Sequence, residues 1–145
     1  MTWYFKEKEF KIEDIEEGVI GFVYLITNLK TERKYIGKKR LIRSFKTRAT
    51  KKKKAKRVKE ISNWMDYYGS SAELLRDIEF LGKENFRRDI LYLCASFAEM
   101  SYLEIKEQID NEVLFREDFY NKFIGCRINA NHLKLHNKKN LTLSQ

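Results

Sequence analysis

The sequence predicts an α+β fold in which a small three-stranded antiparallel sheet is flanked by helices. Residues 19–27, 34–37 and 86–94 are rich in β-branched and aromatic residues and are bounded like strands. Residues 70–82 and 97–114 have apolar residues at helical spacing. Strands and helices in this order favour one sheet with helices packed on it.

The first two strands form a predicted hairpin. Residues 19–27 read VIGFVYLIT, which is typical of a buried strand, and a polar connection leads to the short strand 34–37. Gly37 permits a bend or a close backbone approach where that strand ends. A cationic helix is expected to begin near Leu41, followed by a flexible lysine-rich excursion.

The later elements carry recognisable end signals. Residues 70–73 (SSAE) form a Ser-x-x-Glu capping box before an apolar helix face, and Gly82 ends that helix. Residues 86–94 supply the third strand, and residues 97–114 supply the last helix.

One compact domain is expected, because the 145 residues include no proline, no Gly/Ser-rich linker and no internal repeat. Residues 1–18 are assigned to an N-terminal extension whose apolar side chains can pack on the core. The domain itself is assigned to residues 19–129, with a lysine-rich insertion at about 46–60, and residues 130–145 are assigned to a polar tail.

The chain has the composition of a soluble cytoplasmic protein. It has only two cysteines, Cys94 and Cys126, which is no disulfide framework. Residues 1–18 contain no signal-peptide pattern, and no apolar stretch is long enough to span a bilayer. We expect no membrane partner.

Positive charge is concentrated in one stretch of the chain. The net charge is +9, but residues 30–59 contain sixteen Lys or Arg and a single acid, Glu32, so the remainder carries −6. Such a field favours a polyanion, because cations that neutralise phosphates release condensed counterions. A solvated loop or a targeting signal is the alternative.

Two tyrosines on the predicted hairpin form a candidate chemical site. Tyr24 and Tyr35 come close together if they share a face of the sheet. Lys38, Lys39 and Arg40 follow directly, and nearby cations lower the pKa of a phenol and favour its phenolate, a proton acceptor. Paired strand tyrosines are more commonly a packing feature, so other motifs must decide.

Further motifs follow in a recognisable order. They are GFVY at 21–24, YIG at 35–37, GKENF at 82–86, IL at 90–91, LE at 103–104 and YN at 120–121. Together they resemble the GIY-YIG endonuclease superfamily over residues 19–129. Residues 64–71 (WMDYYGSS), with the lysine-rich run before them, are similar to its phage Seg-like homing-endonuclease branch. The first motif departs from the family name but keeps its tyrosine.

The resemblance implies hydrolysis of phosphodiester bonds that leaves 5′-phosphate and 3′-hydroxyl ends. The catalytic residues that it implies are Tyr24, Tyr35, Lys38, Arg43, Glu104 and Asn121. One tyrosine acts with the attacking water as general base, and Lys38 contacts the phosphate. Arg43, on the expected helix, stabilises the developing negative charge, with Arg40 and Arg48 as alternatives.

Glu104 is the residue that the resemblance assigns to a single Mg²⁺ or Mn²⁺. One carboxylate with several waters suits Mg²⁺, which keeps part of its hydration shell. A glutamate on a helix is otherwise a solvated surface charge, and Glu107 is the next candidate if the helix register differs. Cys126, His132 and His136 have a zinc-like spacing, but a single nearby cysteine argues against a structural zinc.

Further residues are expected to bind nucleic acid: Lys39, Arg40, Arg48, Lys51, Lys52, Lys53, Lys54, Lys56, Arg57, Trp64 and Tyr68. The lysine run suits backbone contacts but lacks the geometry to read a sequence in a groove. The aromatic residues of segment 64–68 either stack on bases or form a hydrophobic lead-in to the following helix.

The sequence therefore predicts a DNA endonuclease of the homing type, acting on double-stranded DNA in a phage-infected host cell. The alternatives are a non-catalytic nucleic-acid-binding protein that keeps the fold and an RNA-associated basic protein of ribosomal type. Residues 127–145 are too few for a separate DNA-binding module. Target choice is left to the core, the insertion, a partner or a homodimer on DNA.

Overall fold

The computed structural model describes residues 2–125 and residue 130. Its strands are Trp3–Phe5 (β1), Lys8–Phe10 (β2), Gly21–Asn28 (β3), Lys34–Arg40 (β4), Ile42–Lys46 (β5), Arg57–Ile61 (β6) and Phe86–Cys94 (β7). The α-helices of the described part are Ala72–Leu81 (α1) and Phe97–Asp110 (α2). The predicted α+β class is confirmed.

A five-stranded sheet with the order β2-β1-β7-β3-β4 forms the centre of the molecule. β3 pairs antiparallel with both β4 and β7, whereas β1 runs parallel to β7. The prediction of a three-stranded antiparallel sheet is therefore wrong. Its three strands are β3, β4 and β7, and residues 3–10, expected in an extension, add two more strands to a mixed sheet.

The two added strands contribute to the core. Trp3 is fully buried, and its ring packs edge-on against Phe22 and Tyr24, with centroid distances of 4.8 and 5.5 Å. Lys6 and Glu7 join β1 to β2 with φ angles of 50° and 66°, the geometry of a tight two-residue hairpin turn. Strands of three residues show too little alternation to be recognised from sequence.

β5 and β6 form an antiparallel ribbon that is separate from the five-stranded sheet. The helix expected to begin near Leu41 is therefore wrong, and Arg43 lies on β5 opposite Glu60 rather than on a helix. Residues 47–56, which include most of the predicted lysine-rich excursion, connect β5 to β6. The two strands carry few apolar residues, so the sequence does not reveal this partnership.

The two faces of the sheet are covered by different elements, because successive strand residues point to opposite faces. Met100 of α2 packs on the face that contains Val23 and Ile36. Leu74 of α1 belongs to the core cluster on the other face, together with Tyr24.

α1 begins and ends at residues that favour helix termini. The hydroxyl oxygen of Ser71 accepts the N–H of Leu74 at 3.3 Å, and Gly82 ends the helix with a φ of 92°. The predicted cap is shifted by one residue, because Glu73 pairs with Arg33 at 2.7 Å. Among the described residues no helix has both the length and the apolar character needed to cross a membrane.

Candidate active site

Tyr24 and Tyr35 lie side by side on one face of the hairpin. Tyr24 is paired with Gly37 and Tyr35 with Ile26, so the two tyrosines are diagonal neighbours. Their ring centroids are 6.2 Å apart. A Cβ at position 37 would lie 2.7 Å from Cζ of Tyr24 and 2.9 Å from Cε1 of Tyr35. Glycine is therefore required at position 37 for the two rings to meet.

Residues just before α1 complete this group of phenols. The ring of Tyr67 packs edge-on against Tyr24 with centroids 6.0 Å apart. The hydroxyl groups of Tyr35 and Ser70 are hydrogen-bonded at 3.0 Å. The sequence offers Tyr67 only as an aromatic residue that could stack on bases or pack before the helix, and it does not indicate Ser70 as a site residue. The only signal for them was their position in the segment WMDYYGSS.

Burial raises the pKa of both hairpin phenols. The pKa of Tyr24 lies well above its ordinary value of 10.0 because of burial first and then its neighbours Tyr67 and Tyr35, with a contribution from Glu104. Burial also raises the pKa of Tyr35, although the hydrogen bond to Ser70 opposes the rise. The expectation that nearby cations favour a phenolate is wrong. Both phenols keep their protons at neutral pH and act as hydrogen-bonding groups.

Lys38 and Glu104 form an ion pair between β4 and α2. Lys38 Nζ lies 3.6 Å from Glu104 Oε1 and donates to Ser101 Oγ at 2.7 Å. Burial raises the pKa of the Glu104 carboxyl above 4.5, and the Lys38 ammonium opposes this rise. The Lys38 ammonium also lies over the ring of Phe97, 4.7 Å from its centroid.

Glu107, the alternative metal ligand, contacts a different part of the molecule. Its carboxylate accepts a hydrogen bond from the Tyr92 hydroxyl at 2.5 Å and one from Asn111 Nδ2 at 3.2 Å. Glu104 raises the pKa of both hairpin tyrosines, whereas the Glu107 carboxylate is engaged by Tyr92 and Asn111. Of the two glutamates, Glu104 is therefore the one beside the phenols.

Two clefts meet the edge strand β4 near these groups. A cleft of about 480 Å³ is lined by Tyr35, Ser70, Glu104 and Asn121, among others. Tyr35 and Glu104 come from opposite faces of the sheet and approach one another around its edge. A carboxylate and a phenol thus border the same solvent-filled space.

The second cleft, of about 760 Å³, is strongly cationic, and its lining includes Lys38, Lys39, Arg40, Arg43 and Tyr67. The Lys39 ammonium lies over the ring of Tyr67, 4.2 Å from its centroid. Burial first, and then the nearby Arg43, lower the pKa of Lys39. We call this space the cationic cleft. It suits an anion that also touches the tyrosine group.

Asn121 holds the backbone of β4. Its amide oxygen accepts the N–H of Ile36 at 3.0 Å, and its amide nitrogen donates to the carbonyl of Ile36 at 2.8 Å. Gln108 donates to the same carbonyl at 3.0 Å. Asn121 is 4% exposed. Its contacts fix the strand from which Tyr35 and Lys38 project.

Trp64 and Tyr68 cannot stack on bases in this structure, because they are 0% and 5% exposed. The expectation that they contact nucleic acid is therefore wrong, and they form the hydrophobic lead-in to α1. The remaining predicted contacts, Arg48, Lys51, Lys52, Lys53, Lys54, Lys56 and Arg57, are exposed on the β5–β6 ribbon and its turn. They lie outside the lining of both clefts.

Within residues 2–125 and residue 130, no group of three or more His, Cys, Asp or Glu side chains is arranged to hold a metal ion. A divalent ion at Glu104 would therefore take its other ligands from water and substrate. The zinc-like trio of Cys126, His132 and His136 lies outside the described residues.

The chain was compared with protein families, curated proteins and solved structures. A protein-family model described as "Putative endonuclease segE, GIY-YIG domain" matches residues 3–124. The match includes β1 and β2. None of the curated proteins and none of the solved structures matches the chain.

Proposed function

Because the chain belongs to the Seg-like branch of the GIY-YIG endonuclease domain family, we propose that it is a metal-dependent DNA endonuclease. It hydrolyses phosphodiester bonds in double-stranded DNA and serves as a homing-type nuclease of a phage or mobile element. The observation that carries the proposal is the meeting of the paired hairpin tyrosines with Lys38 and Glu104 around one strand edge.

In the proposed reaction the phenols orient the attacking water. Tyr35 borders the open cleft and bonds to Ser70, so its hydroxyl is the one that can reach a substrate. Tyr24 is 1% exposed and supports Tyr35 from behind. Since burial raises the pKa of both phenols, they accept and donate hydrogen bonds as neutral groups. Phosphate or solvent then receives the proton of the attacking water.

Cations on β4 and β5 are proposed to stabilise the negative charge that develops on the phosphate. Lys38 already faces Glu104 and contacts the phosphate when substrate enters. Arg43 keeps the role of the charge-stabilising arginine, with Arg40 as the alternative, because both line the cationic cleft. Arg48 lies further along the ribbon, in a groove near its turn, which argues against this role.

The donor chemistry fits Mg²⁺ or Mn²⁺. Glu104 offers one carboxylate at the edge of a cleft, and such ions bind through one or two carboxylates together with water and phosphate oxygens. The bound ion would supply a positive charge beside the scissile phosphate. Glu73 lines the same cleft, but it is engaged by Arg33 at 2.7 Å.

The test is cleavage of supercoiled plasmid in Mg²⁺ or Mn²⁺ by the wild type and by Glu104→Gln. The wild type should convert the plasmid to nicked or linear forms, and Glu104→Gln should be slower by at least about a hundredfold. Chelation should stop the wild type. Paired breaks at low protein concentration would favour a homodimer on DNA, whereas nicks would favour one site acting per encounter.

Glu107→Gln is the matched control, because it removes a carboxylate from the same helix at a position bonded to Tyr92. It should retain cleavage. A wild-type protein that shifts the mobility of DNA but leaves every strand intact would refute the nuclease proposal and favour the non-catalytic binder. Loss of activity in both glutamine variants would remove the special role of Glu104.

A further inference from the structure

The β5–β6 ribbon extends beyond its named strands to a tight turn. The N–H of Thr47 donates to the carbonyl of Lys56 at 2.7 Å, and the N–H of Thr50 donates to the carbonyl of Lys53 at 2.9 Å. At about 3.4 Å per residue, the path from Ile42 to Thr50 gives a ribbon about 27 Å long. The lysine-rich run thus lies at the end of a two-stranded arm.

The net positive charge of the molecule is concentrated on this arm. Residues 42–61 contain ten Lys or Arg and one acid, Glu60, so the arm carries +9, the net charge of the whole chain. The turn lysines at 51–54 are all exposed, and Lys46 and Arg57 lie opposite each other on one face. Between positions 46 and 57 alanine is the only apolar residue, so the tip has nothing to insert into a lipid bilayer.

The base of the arm is fixed beside the tyrosine site. The N–H of Leu41 donates to the carbonyl of Ile20, and the N–H of Ser62 donates to the carbonyl of Leu41, both at 2.8 Å. Leu41 is 1% exposed. Arg43 and Glu60, the second cross-strand pair above the base, line the cationic cleft together with Lys38. The arm therefore borders the same cleft as Lys38 and Tyr67.

We propose that the arm enters the major groove of double-stranded DNA next to the scissile phosphate, an inference that rests on the proposed function. The major groove is about 12 Å wide and admits a two-stranded β-ribbon directly, whereas the minor groove, at about 6 Å, must first be widened by bending the DNA. Cations on the ribbon faces contact the phosphates along both walls, and the turn lysines reach the groove floor. The arm thereby selects duplex over single-stranded substrate.

The first test measures duplex affinity in the Glu104→Gln background, where the DNA stays uncut. A tip variant carries Lys51→Gln, Lys52→Gln, Lys53→Gln and Lys54→Gln. It should bind a duplex of about 25 base pairs at least about tenfold more weakly than its parent near 0.1 M salt. The slope of log affinity against log salt should become shallower by up to about 3 to 4, because each lysine removed from the phosphate field of the groove releases about 0.9 fewer counterions.

The matched control removes the same charge elsewhere. Its substitutions are Lys6→Gln, Lys8→Gln, Lys11→Gln and Lys30→Gln, at exposed positions outside both clefts. It should weaken binding by less than about threefold and change the salt slope by less than about 1. Equal losses in the tip variant and the control would overturn the proposal, because they would show that only total charge matters.

Methylation interference identifies the groove. Methyl groups on guanine N7 occupy the major groove, and methyl groups on adenine N3 occupy the minor groove. With Glu104→Gln, N7 methylation beside the cleavage position should block binding, and the tip variant should lose this interference. Interference from adenine N3 alone would overturn the proposal.

These measurements are independent of catalysis. A chain that binds duplex through the arm yet never cleaves DNA would refute the proposed function while supporting the arm. If the chain cleaves plasmid, but its tip variant has the duplex affinity and the methylation interference of its parent, only the proposed role of the arm would be refuted.

Discussion

Glu104 carries a carboxylate with a side chain only 14% exposed, 3.6 Å from Lys38 Nζ. Burial raises the pKa of this carboxyl, and Lys38 only opposes the rise. The charged form that a metal ion would need is therefore the form that the folded protein tolerates less well. A carboxylate held in this way costs the fold some stability, a pattern that is common at sites of catalysis.

Glu104→Gln should make the metal-free protein more stable at pH 7. The folded-state pKa of Glu104 lies above the unfolded value near 4.5, so stability is lost as pH rises through the folded-state pKa. Glutamine does not ionise and avoids this loss. The melting temperature of the variant should exceed that of the wild type at pH 7, and the difference should vanish below about pH 4.5.

The effect of added Mg²⁺ or Mn²⁺ on the melting temperature tests the proposed metal-binding role of Glu104. Either ion should raise the melting temperature of the wild type but not that of Glu104→Gln, since binding to the folded state alone is stabilising. A variant that melts below the wild type at pH 7 would mean that the ion pair with Lys38 outweighs the cost of burial.

At the scale of elements, the loop between β6 and α1 is held by side chains from distant strands. Arg88 of β7 is 1% exposed and donates to the carbonyls of Met65 and Tyr67, both at 2.9 Å. The indole N–H of Trp3 donates to the carbonyl of Trp64 at 2.8 Å. These three bonds fix the loop that brings Tyr67 against Tyr24.

Arg88→Met should lower the free energy of unfolding by about 2–4 kcal/mol, because two carbonyls lose a charged donor in the interior. The neighbouring Arg87 is the matched control. It pairs near the surface with Glu7 and Asp89, each at 3.0 Å, so Arg87→Met should cost about 1 kcal/mol or less. Urea unfolding measures both. Equal losses would mean that the buried guanidinium has no special role in holding the loop.

The same loop differs from the elements that can be predicted from sequence. β3, β7 and α1 are recognisable because each has its own pattern or end signal, such as Gly82 after α1. The loop has no such pattern or end signal, because its carbonyls accept hydrogen bonds from residues that are far away in the chain. The burial of Trp64 and the approach of Tyr67 to Tyr24 follow from those distant bonds.

At the scale of the whole molecule, the sheet joins the beginning of the chain to its middle. Among the predicted site residues, Tyr24, Tyr35, Lys38 and Glu104 meet at one strand edge, as their motif order suggests. β1, β2 and the ribbon escape sequence reading because their identity is decided by pairing partners rather than by local preference. Residues 3–10 are therefore structural strands of the domain.

Trp3→Ala should lower the free energy of unfolding by about 3–5 kcal/mol, since a fully buried indole leaves a cavity beside Phe22 and Tyr24. Tyr4→Ala is the control on the same strand. Its ring is partly exposed and carries the Arg87 guanidinium 4.4 Å from its centroid, so the cost should be about 1 kcal/mol. Denaturant unfolding measures both. Wild-type stability in Trp3→Ala would make residues 3–10 a dispensable extension.

The parallel pairing of β1 with β7, in which Trp3 lies beside Arg88, also governs when a newly synthesised chain can complete its fold. Contacts this distant in sequence slow folding, because a long loop must close before they form. The tyrosine hairpin leaves the ribosome early, whereas Glu104 follows β7. A nascent chain therefore displays the hairpin phenols before the Glu104 carboxylate that lies beside them in the folded domain.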